Sequence, residues 1–372
     1  MAKKWPKFGY FVTEENNFED VFEEVGDNEI IAEMEGVLIA SASPIDNIRG
    51  KLVIVDDKTN ADPEFVDVLN DSIYKCGQKP YTSINVNQIN KRLIGTAIED
   101  NPKYIKVYNV GQAYCAEIRM ERGKVIFSDI GLTKNKIELG TKEIKQAKNE
   151  IWSINPQMVI LSHWDLDHIL GVTNASDSIY DAMWIVPDLW GLQTTKRNGG
   201  IDNNLISDSA KRLLKYLSWK NNDNLIIIGD DLSKRFIYEN AAKTMSIWSG
   251  ERRSASGVND NKEKYNITKA NNFGLMIFLK NKLSALLAGD CEYSVMADDL
   301  LKEELNYFVV LHHCSKMSKP LITAAKNKKK AILSYGIQNK FHHPNELHMR
   351  QISDMGYEII PTVGKVHIHL DL

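Results

Sequence analysis

The sequence lacks any apolar run near the roughly 20 residues that span a membrane. Its first residues, MAKKWPKFGYF, also lack the apolar stretch of a signal peptide. Cysteine is scarce: four cysteines are scattered over 372 residues without a CxxC pair, which excludes a disulfide framework and a cysteine zinc knuckle. The net charge of -3 excludes a histone-like protein that coats polyanions. These absences predict a cytoplasmic protein without membrane contact.

Acidic residues are concentrated near the N-terminus. Residues 1–100 contain 10 Lys and Arg against 19 Asp and Glu, whereas residues 101–372 contain 36 against 30. We therefore predict an acidic N-terminal module over 1–100, whose charge is either a solvated face or a surface for a protein partner. A second domain is predicted over 101–372. Its residues 191–270, rich in Asn, Lys, Ser and Gly, are predicted to be an insertion with long loops.

Short apolar segments recur from about residue 102, each followed by polar loop residues. Ten of them have the length and composition of β-strands, among them KYIKVYNVG, QMVILSH, LSALLAGD and YFVVLHH. Helical patterns lie between some of them, at 208–220 and at 318–330. Many strands with a few interleaved helices predict an α/β (α+β) fold, in which helices pack outside a sheet-rich core.

Metal-ligating side chains are concentrated in one segment, HWDLDH at 163–168, which directly follows the apolar segment MVILS. Four His and Asp side chains within six positions cannot all lie on one face of a strand or a helix. We therefore expect a turn wrapped around a metal centre. In it, His163 and Asp165 would serve one cation, and Asp167 and His168 a neighbouring one.

The distribution of histidine supports a metal site. Of nine histidines, two lie in this turn and four form pairs that follow strands or strand-like segments, His312-His313 and His342-His343. Asp290 ends another apolar segment, LSALLAGD. We expect these strand ends to converge at one rim of a sheet, where the two oxygens of Asp290 can bridge two ions. The other histidines are predicted to be surface or strand residues: His348, His367 and His369.

The order of these motifs resembles the metallo-β-lactamase superfamily, and within it the domain of ComEC-type competence proteins and the choline-phosphate esterases. The likeness runs from about Lys103 to Leu372. Its segments are YNVGQA at 108–113, SDIG at 128–131, HWDLDH, NNF at 271–273, GD at 289–290, HHCS at 312–315 and NKFHHP at 339–344. The sequence departs from the DVGQGD and HHGS patterns of that branch at Asn109, Tyr114 and Cys314. The resemblance implies an αββα sandwich with a dinuclear metal site at the sheet edge, after an N-terminal extension or small α+β module.

The resemblance also implies the metal ligands. The first ion would be held by His163, Asp165 and one of His312 and His313, of which His313 is preferred. The second ion would be held by Asp167, His168 and His343. Asp290 would bridge the two ions. Ligands of this hardness suit two divalent ions, with Zn²⁺ and Mn²⁺ as the candidates.

The activity implied is that of a metal-dependent hydrolase, a phosphodiesterase or nuclease, whose nucleophile is a hydroxide that bridges the ions. Asp167 would orient that hydroxide, and His312 would stabilise charge or protonate the leaving oxygen. Four residues are candidates for contacting the substrate: Ser315, Lys316, Asn339 and His342. The expected partner is nucleic acid or another phosphodiester. Basic clusters could form a phosphate track or be solvated faces: Lys196-Arg197, Lys211-Arg212, Arg252-Arg253, Lys316, and Lys326 with Lys328–Lys330.

Two alternatives stay open. One is a metal-dependent hydrolase of a non-phosphate ester, a lactone or an amide. The other is a non-catalytic binding module on the same fold. Metal ligands that are all retained favour an enzyme, because a decayed site would be expected to have lost some of them.

Overall fold

The computed structural model of the protein describes most of the chain after residue 85. It covers residues 86–188, 224–251 and 271–372, apart from positions 176, 230, 231 and 338. It also describes five helical residues between 209 and 217 and four short strands before residue 55. Contacts divide the chain into two compact units, Met1–Pro80 and Tyr81–Leu372. In the described part, no helix has the length and hydropathy needed to cross a membrane.

The described residues of the first unit form two short antiparallel pairings. β1 (Gly9–Tyr10) pairs with β4 (Val53–Ile54), and β2 (Glu33–Met34) pairs with β3 (Val37–Leu38). β3 and β4 lie within the apolar segments EGVLIASAS and KLVIVDD of the acidic region. An acidic module with its own protein partner stays a prediction.

Sixteen strands and six α-helices of the second unit have both ends within the described residues. The strands are β5 (Pro102–Tyr108), β6 (Cys115–Met120), β7 (Val125–Ile130), β8 (Met158–Ile160), β9 (Met183–Pro187), β10 (Leu225–Ile228), β11 (Phe236–Glu239), β12 (Met245–Ser249), β13 (Leu275–Lys280), β14 (Ser284–Leu287), β15 (Glu304–Leu305), β16 (Tyr307–Val309), β17 (Thr323–Ala324), β18 (Lys330–Leu333), β19 (Glu358–Pro361) and β20 (His367–Asp371). The helices are α1 (Val86–Leu93), α2 (Lys136–Leu139), α3 (Lys142–Trp152), α4 (Leu166–Ile169), α5 (Asp298–Lys302) and α6 (Glu346–Asp354).

Most of these strands form two seven-stranded sheets. The first has the order β10-β9-β8-β7-β6-β5-β20, and the second has the order β11-β12-β13-β14-β16-β18-β19. Strands β7 to β10 run parallel to one another, as do β14, β16, β18 and β19. All ten segments predicted to be strands are strands, and the mixed α/β architecture with two large sheets confirms the predicted fold class.

The two sheets pack against each other through one apolar face each. Because side chains alternate along a strand, Ile277 of β13 lies in the core between the sheets, whereas Phe278 lies in a cluster on the other face. That second cluster also contains Leu300 of α5 and Ile352 of α6, so helices cover this face of the second sheet. Burial of an isoleucine such as Ile118 contributes about 1.5–3 kcal/mol to this core.

Residues 86–100 belong to the core of the second unit. α1 buries Ile89 and Leu93, and the following 3₁₀ helix buries Ala97 and Ile98, all in the cluster between the sheets. The folded unit that carries the sheets therefore includes the last part of the range 1–100.

Two segments differ from the sequence interpretation. The helix predicted over 318–330 is wrong, because this segment contains β17, a bend at 326–327 and the first residue of β18. Pro320 and the left-handed backbone of Lys328, at φ 53°, oppose a continuous helix there. Within the predicted insertion at 191–270, the chain forms β10, β11 and β12, which extend one end of each sheet.

Candidate metal centre

The predicted ligands lie just beyond the ends of strands from both sheets. His163 follows β8 of the first sheet, whereas Asp290 follows β14 and His312 follows β16 of the second. β14 and β16 are parallel, so their carboxyl ends reach the same edge of the sheet. The packing of the two sheets brings this edge against the turn after β8 and joins the three positions in one cluster.

Asp290 lies at the centre of the cluster and is 4% exposed. Its Oδ2 is 3.7 Å from Nε2 of His163 and 3.4 Å from Nε2 of His312. Its Oδ1 is 3.3 Å from Nε2 of His168. The two oxygens of one carboxylate therefore face different histidines.

Two aspartates of the HWDLDH turn complete the cluster. Oδ2 of Asp165 is 3.6 Å from Nε2 of His163, and Oδ2 of Asp167 is 3.2 Å from Nε2 of His313. Ligand atoms that lie about 2.1 Å from one tetrahedral ion are separated from each other by about 3.4 Å. Both observed separations are close to that value, so the two side chains of each pair are spaced as ligands of one cation.

Hydrogen bonds fix the imidazole rings of His163 and His168. Nδ1 of His168 donates to Oδ2 of Asp129 over 2.7 Å, and Nδ1 of His163 donates to Oγ of Ser162 over 2.9 Å. The Ser162 hydroxyl donates in turn to Asp129 over 2.6 Å. With one hydrogen held on Nδ1, a cation that displaces the proton of Nε2 would find the lone pair of each ring on that atom.

Both Nε2 atoms, of His163 and His168, are buried and have no hydrogen-bond partner among the described residues. An unsatisfied polar atom in a buried site costs free energy unless something binds it. A divalent cation satisfies both atoms, and the residues present therefore fit a metal site. Asp129 and Ser162 were not among the predicted site residues. The sequence feature that could have identified Asp129 is the SDIG segment at the end of β7.

The imidazoles of His313 and His343 are held in opposite tautomers. Nδ1 of His313 donates to the carbonyl oxygen of Ser334 over 2.7 Å, so a cation that displaces the hydrogen of Nε2, the atom facing Asp167, finds a lone pair there. Nδ1 of His343 instead lies 3.1 Å from Nε2 of Gln112. The amide oxygen of Gln112 accepts from the backbone N–H of Gly336, so its nitrogen is the donor to His343. His343 therefore carries its hydrogen on Nε2. A neutral histidine that binds a metal through Nε2 needs a lone pair on that atom instead.

The charges of the cluster stabilise one another. Burial alone would raise the pKa of Asp290, but the charges of His312, His168 and His163 outweigh it and hold that pKa well below its usual range. Burial would likewise raise the pKa of Asp167, but the hydrogen bond from His313 and the charge of His168 lower it. Both carboxylates therefore stay ionised in spite of burial and attract a cation.

The histidines divide into two groups by pKa. Burial would lower the pKa of His168, but Asp290 and Asp129 raise it well above its ordinary value. Burial also opposes the charged form of His313, but the hydrogen bond to Asp167 raises its pKa. For His343, burial followed by the charges of His313 and His312 lowers the pKa to about 4. His343 is therefore neutral near pH 7.

Close backbone approaches shape the centre. A Cβ on Gly131 would lie 1.7 Å from the carbonyl oxygen of Asp167, so only glycine allows the HWDLDH turn to pack on the end of β7. Three consecutive residues, His312, His313 and Cys314, have left-handed φ of 48°, 51° and 62°. Such backbone costs of order 1–3 kcal/mol per residue and is concentrated at functional sites. Here it directs two adjacent imidazoles into one cluster.

The four candidate substrate residues differ in their exposure and in whether they line a cavity. Asn339 lines a cavity beside Asp167, but its side chain is engaged by the loop: it accepts from the backbone N–H of His343 and donates to the carbonyl oxygens of Gly336 and His343. Lys316 and His342 are exposed, and Ser315 is buried. A contact of any of the four with substrate stays a prediction.

The remaining predictions on histidine and on charge have mixed outcomes. His367 and His369 lie on β20 as predicted, but His348 is neither a surface nor a strand residue. It is buried on α6 and bonded to the Tyr293 hydroxyl. Three of the predicted basic clusters lie outside the described residues: Lys196-Arg197, Lys211-Arg212 and Arg252-Arg253.

The chain is similar in structure to hydrolases with the metallo-β-lactamase fold. An isothiocyanate hydrolase from Delia radicum gut bacteria is 11% identical, with 72% of this chain and 100% of that chain covered and a TM-score of 0.44. A diphosphatase of the PhnP family is 11% identical over 72% and 97%, with a TM-score of 0.34. A long-form RNase Z from yeast is 12% identical over 88% and 49%, with a TM-score of 0.37. No family model and no curated protein sequence matches the chain.

Proposed function

We propose that the protein is a dinuclear metal-dependent hydrolase that cleaves phosphodiesters. The observation that carries this proposal is the position of Asp290, a buried carboxylate whose two oxygens face different histidines. A carboxylate placed in this way is suited to bridge two cations about 3.5–4 Å apart, the arrangement used by two-metal hydrolases.

The distances favour a definite distribution of ligands. The first ion would be held by His163, Asp165 and His312. His163 and His312 both lie near Oδ2 of Asp290, and Asp165 lies near His163. Asp167, His168 and His313 would hold the second ion, since their ligand atoms lie within 4.8 Å of one another. In contrast to what the resemblance implies, His312 becomes a ligand of the first ion and His313 a ligand of the second. This distribution also releases His343 from metal binding.

Two bound divalent ions would supply Lewis acidity and the positive charge that makes water acidic near neutral pH. Zn²⁺ and Mn²⁺ both suit a set of imidazoles and carboxylates. The chain itself orients the reactants. Asp167 is half-buried, ionised and open to the cavity, so its carboxylate can accept a hydrogen bond from the attacking water. The Nε2–H of His343 can donate to an oxygen that gains negative charge in the transition state.

Two features support a phosphodiester over a carboxylic ester. Lys134 and Lys340 line the cavity beside Asp167, where ammonium groups would attract a phosphate. The order of the motifs also resembles the branch that contains ComEC-type domains and choline-phosphate esterases. A hydrolase of another ester, a lactone or an amide would use the same ions without need of these lysines.

Hydrolysis by the purified, metal-loaded chain tests the proposal. We expect bis(p-nitrophenyl) phosphate to be cleaved with a higher kcat/KM than p-nitrophenyl phosphate or p-nitrophenyl acetate. Asp290→Asn should abolish this activity, whereas Asp354→Asn, the same change at an exposed carboxylate on α6, should leave it unchanged. A preference for the acetate would favour the carboxylic ester alternative. Bound metal without hydrolysis of any ester would favour a binding module.

A further inference from the structure

A cavity of about 400 Å³ opens beside the metal centre. Asp167 belongs to both, since it lines the cavity and its Oδ2 contacts His313. A ligand that fills the cavity would therefore have one end at the cations and the rest of its structure in contact with the surrounding loops. The volume suits a small molecule or a single nucleotide unit, since ligand pockets generally measure about 300–1,000 Å³.

The lining of the cavity combines an exposed aromatic ring with positive charge. Phe341 is 56% exposed, although a large apolar side chain of this kind is commonly buried. Its ring stacks on that of His343 at a centroid distance of 5.8 Å and an angle of 27°, which fixes its orientation. Lys340, whose Nζ lies 5.2 Å from the centre of the same ring, and Lys134 are both exposed at the cavity.

Other residues that line the cavity are apolar or have polar groups that are hydrogen-bonded within the protein. Leu132 and Leu166 contribute apolar surface. Glu138 is buried, and its Oε2 accepts from the Thr133 hydroxyl over 2.7 Å and from the backbone N–H of Gln112 over 3.2 Å. Its negative charge is therefore engaged within the protein, and the two lysines are left to attract an anionic ligand.

We propose that this cavity binds the nucleoside portion of a phosphodiester, with the base against Phe341 and the phosphate between the lysines and Asp167. This rests on the function proposed above and narrows its substrate class to nucleotides or single-stranded nucleic acid. A base that is paired and stacked in a duplex cannot enter a pocket of this size without leaving the helix. Stacking of an unpaired base on an aromatic side chain is tolerant of sequence.

The binding of small ligands to the metal-loaded chain, measured by calorimetry, tests this assignment. Adenosine 5′-monophosphate and ribose 5-phosphate share the phosphate, so the ratio of their dissociation constants isolates the base. We expect the nucleotide to bind at least about tenfold more tightly. Phe341→Ala should reduce the ratio to within about twofold. Phe236→Ala, a change at an exposed phenylalanine on β11, should leave it unaltered.

The lysines make a separate contribution. Lys134→Ala combined with Lys340→Ala should weaken both ligands by a similar factor, because both carry the phosphate. Equal affinity for the two ligands in the unmodified chain, or an unaltered ratio in Phe341→Ala, would overturn the assignment of the cavity. With either result, continued hydrolysis of bis(p-nitrophenyl) phosphate would leave the proposed function standing. Nucleotide binding without hydrolysis of any diester would instead refute the proposed function and leave the cavity assignment standing.

Discussion

Gln112 donates a side-chain hydrogen bond to His343, with its Nε2 3.1 Å from Nδ1 of the imidazole. The amide cannot be reversed, because its nitrogen would then face the backbone N–H of Gly336. The hydrogen of His343 therefore lies on Nε2, where a metal ligand would need a lone pair. The structure thus favours His343 as a hydrogen-bond donor and His313 as a ligand.

We expect His343→Asn to retain both metal ions and to lower kcat for diester hydrolysis by about 10²–10³-fold, since one donor to the developing charge is lost. His313→Asn should lose one ion. Elemental analysis and steady-state kinetics on the two variants check this pair of results. Loss of an ion from His343→Asn with full retention in His313→Asn would restore the ligand role that the family resemblance implies.

Asp129 is expected to control metal affinity without touching the metal. Its carboxylate holds the hydrogen of His168 on Nδ1, and Asp129→Asn would present an N–H to that atom instead. The hydrogen would then occupy Nε2 and compete with the cation. We expect metal affinity to fall by about 10–100-fold, measured by competition with a chelator.

Glu117→Gln is the matched control for Asp129→Asn. Glu117 is also a fully buried carboxylate on the first sheet, but its oxygens are bonded to the Tyr108 hydroxyl and to Arg119. The change should destabilise the fold and leave the metal affinity of the folded protein unaltered. An equal loss of affinity in both variants would show a general effect of buried acid-to-amide changes rather than control of the His168 tautomer.

The segment before residue 101 is expected to stabilise the unit that carries the metal centre. Ile89 is fully buried in the core between the sheets, whereas Ile94 is 71% exposed. Ile89→Ala should lower the free energy of unfolding by about 2–5 kcal/mol. Ile94→Ala should change it by less than about 0.5 kcal/mol. Chemical denaturation of both variants measures the difference, and similar values would show that α1 is not part of this core.

The same reasoning applies to truncation. A chain that begins at Tyr81 retains α1 and should fold and bind metal. A chain that begins at Asn101 loses Ile89, Leu93 and Ile98 from the core and should be insoluble or unstable. Thermal unfolding of the two chains tests this contrast. Equal stability would place the start of the second unit at the boundary predicted from charge.

Much of the candidate site could be predicted because its signals are local. An apolar strand that ends near His or Asp is visible in the sequence, and the structure brings the side chains found in this way together, His163 and Asp290 among them. Their role as metal ligands stays a prediction. The tautomer of His343 could not be predicted, because it depends on Gln112, 231 positions away in the chain. The orientation of the His312-His313 pair depends on left-handed backbone that no residue of the HHCS segment requires.

The errors in the fold have equally specific causes. The segment at 318–330 has alanines and lysines, which favour a helix, but pairing of β17 with β15 and of β18 with β16 outweighs this local preference. The charge step near residue 100 is a property of composition, whereas the packing of Ile89 and Leu93 depends on the apolar face of α1. Charge composition therefore does not locate the start of the core.

The metal content of Asp290→Ala, compared with that of the unmodified chain and of each single histidine variant, tests the dinuclear centre most directly. We expect two Zn²⁺ or Mn²⁺ ions per chain in the unmodified protein and fewer in Asp290→Ala than in any single histidine variant, because this change removes a ligand from both ions. Asp354→Ala should retain both ions. An unmodified chain that takes up no transition metal, or an Asp290→Ala variant that keeps both ions while His163→Ala loses them, would contradict the bridged centre.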